Sequence, residues 1–218
     1  DSVFSDDVWR YLWDGEVQRQ GQSPYGVAPS DPALDAIAKT PHWQEVRSRI
    51  NHANLPTVYP PIAQLSFRWF AYHELGWRIF MVLVDLLIGI ILARHLIQTG
   101  RDPSRAVYWA WHPLAIIECT NGAHVTVLAV LGLAVSLLLL EKRHLKSSAA
   151  FLAAAGSTML IPLGATFIYW RHAGFKIVAL MGTVFIGSLL LYPGLFSTGA
   201  LFGLQSYAGS WYSGGLLL

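Results

Sequence analysis

The sequence predicts an all-α protein: a polytopic helical bundle in a membrane, carrying a helical loop domain on the external side. Three observations lead there. Hydrophobic residues make up 54% of the 218 and charged residues only 13%, about half the ~25% charge of a soluble domain. The polar residues are unevenly spread, since residues 1–58 carry a net charge of −3 and residues 59–218 a net of +5. Residues 76–98 hold the run WRIFMVLVDLLIGIILARHLI, the ~20 residues that cross ~30 Å of hydrocarbon. The chain therefore divides into a first external loop, 1–58, and a transmembrane region with short and broken helices, 59–218. No Lys/Arg stripe exists to neutralise phosphates, which excludes nucleic acid as a partner. The single cysteine, Cys119, rules out an internal disulfide and a cysteine-based zinc cluster. The eight histidines are scattered without ligand spacing, so neither a metal nor a cofactor is expected.

In the head, residues 5–20 read as an amphipathic helix with Ser5 as N-cap and Trp9, Leu12, Trp13 and Val17 on one side. Arg10 lies four residues from both Asp6 and Asp14 and can pair with either. Asp6 and Asp7 suit the positive end of the helix dipole, and adjacent carboxylates beside a Trp-rich face also suit a general base. A turn at Gln22–Gly26 and a second helix near 31–39 follow. The segment RINHANLPTVYPP is stiffened by Pro56, Pro60 and Pro61. It displays Asn51, His52, Asn54, Thr57 and Tyr59, which are either interfacial anchors or partners for sugar hydroxyls.

Residues 60–74 are short for a crossing and read as lying at the outer surface. The 76–98 helix ends at Arg94, with Arg101 and Arg105 beyond it, so its C-terminus is cytoplasmic by the positive-inside rule. The clusters at 142–146 and 171–176 are assigned to the same side. The stretches 106–140 and 147–170 must then each go out and return, turning near Asn121-Gly122 and Ser157–Pro162. Pro113, Gly156, Pro162 and Gly164 supply the breaks, and non-helical backbone at that depth lines a cavity or is buried in protein. Both turns and Asp6 then share the external side. Residues 177–197 exit and leave 198–218 outside. Asp85, central in its helix, costs about 2.5–3.5 kcal/mol against lipid, and its expected role is a structural acceptor. Glu118 and His124 flank the outer turn, where His124 either caps its helix or donates to a phosphate or sugar.

The segments SDDVWRYLWDGEVQRQGQSPYGVAPSDPAL and RINHANLPTVYPPIAQL resemble the first external loop of bacterial GT-C membrane glycosyltransferases, closest to the polyprenol-phosphate-mannose-dependent, mannosyltransferase-like enzymes. VLVDLLIGIILARHL and YWAWHPLAIIECTNGAHV resemble that group's FDLLTLLLL and WNPL…E…GHVD stretches. The resemblance implies transfer of a hexose, in particular mannose, from a polyprenyl-phosphate sugar to a glycan or lipid acceptor, with inversion. It implies an integral protein of the plasma membrane among membrane lipids, with 1–58 external, one spanning helix before Asp1 and several after Leu218. It makes Asp6 the base and Asp7 its catalytic neighbour, with Arg10, Tyr11, Tyr25, Asn51, His52, Thr57, Tyr59, Glu118 and His124 binding substrate. Two positions depart from the family pattern: Thr126 stands where an Asp is usual, and Met159 where a Lys is common. Arg10, Arg68, Arg78 and His124 are then the cations left for the donor phosphate. The alternative is a non-catalytic, degenerate or transporter-like protein that binds lipid-linked glycan.

Overall fold

The computed structural model describes residues 5–212; residues 1–4 and the terminal apolar stretch 213–218 lie outside that range. Every regular element among the described residues is helical. They fall into two compact units, a head of residues 6–73 with 189–212 and a body of residues 74–188.

In the head, α1 spans Asp7–Arg19 and begins two residues after the expected Ser5 cap. Asp6 takes the N-cap position, and its side chain makes no capping bond. Leu12, Trp13 and Val17 of α1 pack with Leu34, Ile37, Trp43, Val46 and Ile50 in one core. The expected helix near 31–39 is only a 3₁₀ turn at Pro32–Leu34, capped by Asp31. The true second helix, α2 (Pro41–Ser48), starts where Thr40 Oγ1 accepts from Trp43 N at 3.4 Å and proline occupies the first turn. That is a favourable N-terminal pairing, so Pro41 opens a helix instead of closing one.

Helix α3 (Pro61–Phe70) buries Ala63, Gln64 and Phe67, with Ala71 just beyond. Those side chains meet α1, and for this reason the head extends past residue 58. Gly15 permits the contact: a methyl there would lie 2.7 Å from the Phe67 carbonyl carbon. A late segment completes the unit, through Tyr192 and α11 (Thr198–Tyr212).

The body opens with α4 (Glu74–Gln98), the one described helix long and apolar enough to cross a membrane. The first limb of the expected 106–140 hairpin is broken into α5 (Val107–Ala110), α6 (Pro113–Ile116) and a π turn at Ile117–Asn121. Pro113 has no N–H for the ladder. The return limb is α7 (Thr126–Glu141), followed by α8 (Leu145–Gly156), α9 (Thr166–Ala173) and α10 (Phe175–Leu189). Helices α7 and α10 are apolar but shorter than a full span. The break at Ser157–Leu160 falls where the sequence placed it. The buried Tyr169 hydroxyl shares hydrogen bonds with the hydroxyls of Ser136 and Ser148, tying α9 to α7 and α8. Small residues with shared hydroxyls are how helices associate without a hydrophobic drive between them.

Candidate active site

The head places two adjacent carboxylates in different surroundings. Asp7 Oδ1 accepts from Asn51 Nδ2 at 3.2 Å, and Asp7 Oδ2 from the Tyr59 hydroxyl at 3.3 Å. Asp6 is exposed, and among the described residues no side chain pairs with its carboxylate. One carboxylate is braced and the other open.

The brace depends on a strap of residues 51–59, pinned at every second residue from Ala53 to Tyr59. Ser30 N donates to Ala53 O at 2.9 Å, and Arg10 Nη1 to Leu55 O at 3.0 Å. Gln64 Nε2 donates to Thr57 Oγ1 at 2.9 Å, and the Tyr25 hydroxyl to Tyr59 O at 2.6 Å. Pro56 and Pro60 cannot donate, and they hold the chain open for these acceptors to be reached. His52 takes a left-handed φ of 48°, a conformation costly for a non-glycine residue that persists only where its surroundings enforce it. Burial, with Tyr11 and Asp7 nearby, holds the Tyr59 phenol well above its ordinary pKa. It therefore stays protonated and remains a donor to Asp7.

Three of the residues expected to bind substrate are interior. Tyr11 stacks on Phe67 at 4.4 Å, Tyr25 lies under the strap, and Thr57 faces Gln64. All three are buried, which makes them wall and anchor instead of contact surface. Arg10 needs the same correction as a phosphate cation. Its Nε bonds Asp14 Oδ1 at 2.9 Å, it is 6% exposed, and its charge is committed inside the protein. Asn51, His52 and Asp6 are the expected residues that stand exposed.

Sequence reasoning missed the network beneath them. Gln64 Nε2 reaches Asp14 Oδ2 at 2.8 Å as well as Thr57, and Gln18 Nε2 reaches Gln64 Oε1 at 2.8 Å. The Tyr192 hydroxyl donates to Gln18 Oε1 at 2.8 Å. Gln64 was findable, since it shares a helical face with Ala63, Phe67 and Ala71. Tyr192, 174 residues from its partner, carries no local signal.

The body holds a second set of expected residues. Glu118 Oε2 and His124 Nδ1 pair at 2.6 Å across the Asn121-Gly122 turn. Helix α4 clamps this turn: Trp77 Nε1 donates to Ala123 O at 2.8 Å and Arg78 Nη1 to Asn121 O at 2.7 Å. Buried Ala123 is held at φ 47°. One helical stretch further along α4, Asp85 Oδ1 accepts from Trp109 Nε1 at 2.9 Å and from Cys119 Sγ at 3.5 Å. That matches the acceptor role expected of it. A cavity of about 290 Å³, lined by Trp109, His112, Glu118, Cys119, Thr126 and Val127 among others, opens beside the pair. Thr126 is thus a cavity residue, while Met159 stands in the break after α8. Among the described residues no His/Cys/Asp/Glu group has the arrangement of a metal site.

Among the described residues, every regular element is helical and an open carboxylate stands beside an amide- and hydroxyl-bearing strap. Residues 2–192 match the family model of the alpha-(1->6)-mannopyranosyltransferase N-terminal domain, the MptA_B family, and the chain belongs to that family. The family match makes the protein a glycosyltransferase. No curated protein and no solved structure matches it.

Proposed function

We propose that the protein transfers mannose from a polyprenyl-phosphate sugar to a glycan or lipid acceptor at the external face of the plasma membrane, with inversion and with Asp6 as general base. The observation that carries this reading is the contrast between open Asp6 and braced Asp7. A base must reach the acceptor proton, and of this pair it is Asp6 whose carboxylate is left uncommitted among the described residues. Asp7, fixed by Asn51 and Tyr59, keeps a second negative charge beside the sugar ring as positive charge develops there.

In the step, Asp6 takes the acceptor hydroxyl proton as the new C1–O bond forms. The C1–O bond to phosphate breaks, and polyprenyl phosphate leaves with the electron pair. The α-(1→6) linkage in the family's name makes the acceptor group a primary hydroxyl. Inversion to an α product then requires a β-linked donor. The departing phosphate needs a cation more than a proton. Within the head, Arg68 is the candidate that remains once Arg10 is committed to Asp14.

The test is transfer of labelled mannose from a synthetic polyprenyl phosphate by the full-length protein. A positioned base contributes roughly 10²–10⁴-fold, and Asp6→Asn is expected to lose that much, with a smaller loss for Asp7→Asn. Undiminished turnover in both variants overturns the assignment. The proposed sidedness is checked separately with single cysteines in a Cys119→Ser background. An impermeant thiol reagent on intact cells should label position 30 and leave position 147 unlabelled, and the reverse pattern removes the external site.

A further inference from the structure

We propose that α3 is an interfacial helix that rests in the outer leaflet and fixes the height of the Asp6–Asp7 pair above the bilayer; this rests on the reading of that pair as the transfer site. In the head, large apolar side chains are exposed on the late segment, at Leu190, Leu191, Phe196, Leu201, Phe202 and Leu204, and on α3 with the turn after it. Among described residues 5–64 none is exposed, and the exposed set begins at Leu65, 40% exposed, and Trp69, 76% exposed. These two lie four residues apart on one side of α3, and exposed Arg68 flanks them. The opposite side, Ala63, Gln64 and Phe67, is buried against α1.

A short helix with one apolar stripe, a tryptophan and a flanking arginine is built for the headgroup boundary. Chain continuity selects a bilayer as the occupant over a soluble partner. Only residues 71–73 separate α3 from the 25-residue apolar helix α4. The end of α3 is therefore at the membrane wherever α4 spans it.

The consequence for chemistry is one of distance. An interfacial helix sits with its apolar side ~5–10 Å into the headgroup and acyl boundary. A packed helix lies ~8–10 Å away, axis to axis. Helix α1, on the far side of α3, then runs just above the lipid phosphates. A sugar carried on a lipid phosphate projects to that level, and Asp6 and Asp7 open α1. The small residues of the contact, Gly15, Ala63 and Ala71, keep the spacing short and fixed.

The experiment uses the full-length protein in nanodiscs of phosphatidylcholine and phosphatidylglycerol, with a nitroxide at position 65, 69 or 48 in the Cys119→Ser background. Power saturation should show positions 65 and 69 reached by oxygen and shielded from a water-soluble nickel chelate, while position 48 shows the opposite. Nickel access at 65 and 69 equal to that at 48 overturns the proposal. So does shielding from both reagents, which means that protein covers the stripe. A second measurement compares Leu65→Gln/Trp69→Gln with the parent on two donors. Transfer from a long-chain donor in the bilayer should fall about tenfold, as expected from loss of the buried apolar contact, and transfer from a short water-soluble donor should be unchanged. A fall with both donors makes α3 merely structural, and a fall with neither removes its role in height. If the parent transfers from neither donor, the proposed reaction fails, and the saturation data still decide where α3 lies.

Discussion

Substituting Gly15 by alanine tests the core of the head against the simplest expectation from sequence. In an exposed helix, Gly→Ala stabilises by about 1 kcal/mol. Here the added methyl would stand 2.7 Å from the Phe67 carbonyl carbon and 3.0 Å from Ala71 Cβ, and closer still to the Phe67 oxygen. Carbon atoms settle at ~3.5–4.0 Å, and two of these three obstacles are backbone. Relief therefore requires α1 and α3 to part by about 1 Å. The bonds Gln18 Nε2–Gln64 Oε1 and Gln64 Nε2–Asp14 Oδ2, each 2.8 Å, bridge that gap. Both would stretch beyond the ~3.2 Å at which such bonds normally end, at roughly 1 kcal/mol each. Overpacking adds about 1–3 kcal/mol. Set against the gain in helix propensity, the net is a loss of about 2 kcal/mol or more. At ~2–4 °C per kcal/mol for a chain of this size, Tm should fall by about 4–8 °C in a circular-dichroism melt of the detergent-solubilised protein. Gly182→Ala in α10, where a methyl meets nothing within 4 Å, is the control and should gain up to about 1 kcal/mol. An unchanged or raised Tm for Gly15→Ala refutes the close crossing and the network that depends on it.

Arg10→Met leaves the Asp14 carboxylate buried with Gln64 as its remaining side-chain donor, and should cost about 3–5 kcal/mol. Adding Asp14→Leu should restore most of that, a recovery read from the Tm of the double variant; no recovery contradicts the pairing. Tyr25 has its phenol raised by burial first, then by Asp14 and Tyr192. Its folded pKa exceeds the unfolded ~10. The stabilisation is therefore fully present below pH 10 and is lost as pH rises through the folded value. Tyr25→Phe should flatten the alkaline fall in Tm between pH 10 and 11, and an unchanged slope sinks the point.

The residues proposed to carry the head's chemistry were legible because they are local. Asp6-Asp7 opens a helix, and Asn51 and Tyr59 stand on a proline-stiffened strap. Their roles in the site required long-range pairing that no spacing reveals. Asn51 meets Asp7 across 44 positions and Tyr59 across 52. Arg10 shows the limit well. Its spacing to Asp6 and Asp14 is the same, so sequence leaves both open, and burial of Asp14 decides between them. The helix placed at 31–39 failed for a different reason. Pro32 opens only a 3₁₀ turn, whereas Thr40 ahead of Pro41 makes that proline the first residue of a helix. In the body, Pro113 and Gly156 located the breaks because their effect is intrinsic to the backbone. The clamp of Trp77, Arg78 and Asp85 on the turn at 109–123 was hidden, being a matter of which side of α4 meets which loop.

On the proposed reaction, with Arg10 committed to Asp14, the donor phosphate takes its cation elsewhere, and the head narrows the choice. Arg19 lies over Tyr72, Arg47 is bonded to Asp35, and Arg49 is bonded to Glu45 and lies over Trp9. Arg68 is exposed and, among the described residues, has no ion pair. It flanks the apolar stripe of α3, at the level where lipid phosphates lie if that helix is interfacial. A charge-assisted bond contributes about 1.5–3 kcal/mol, and partial solvent access favours the lower end. Arg68→Gln should therefore raise the KM for the polyprenyl-phosphate donor about tenfold, with Arg68→Lys restoring part of the loss because the charge survives without the fork. The acceptor KM should not move. Equal loss in Gln and Lys variants points to packing instead of charge, and an unchanged donor KM removes Arg68 from the role.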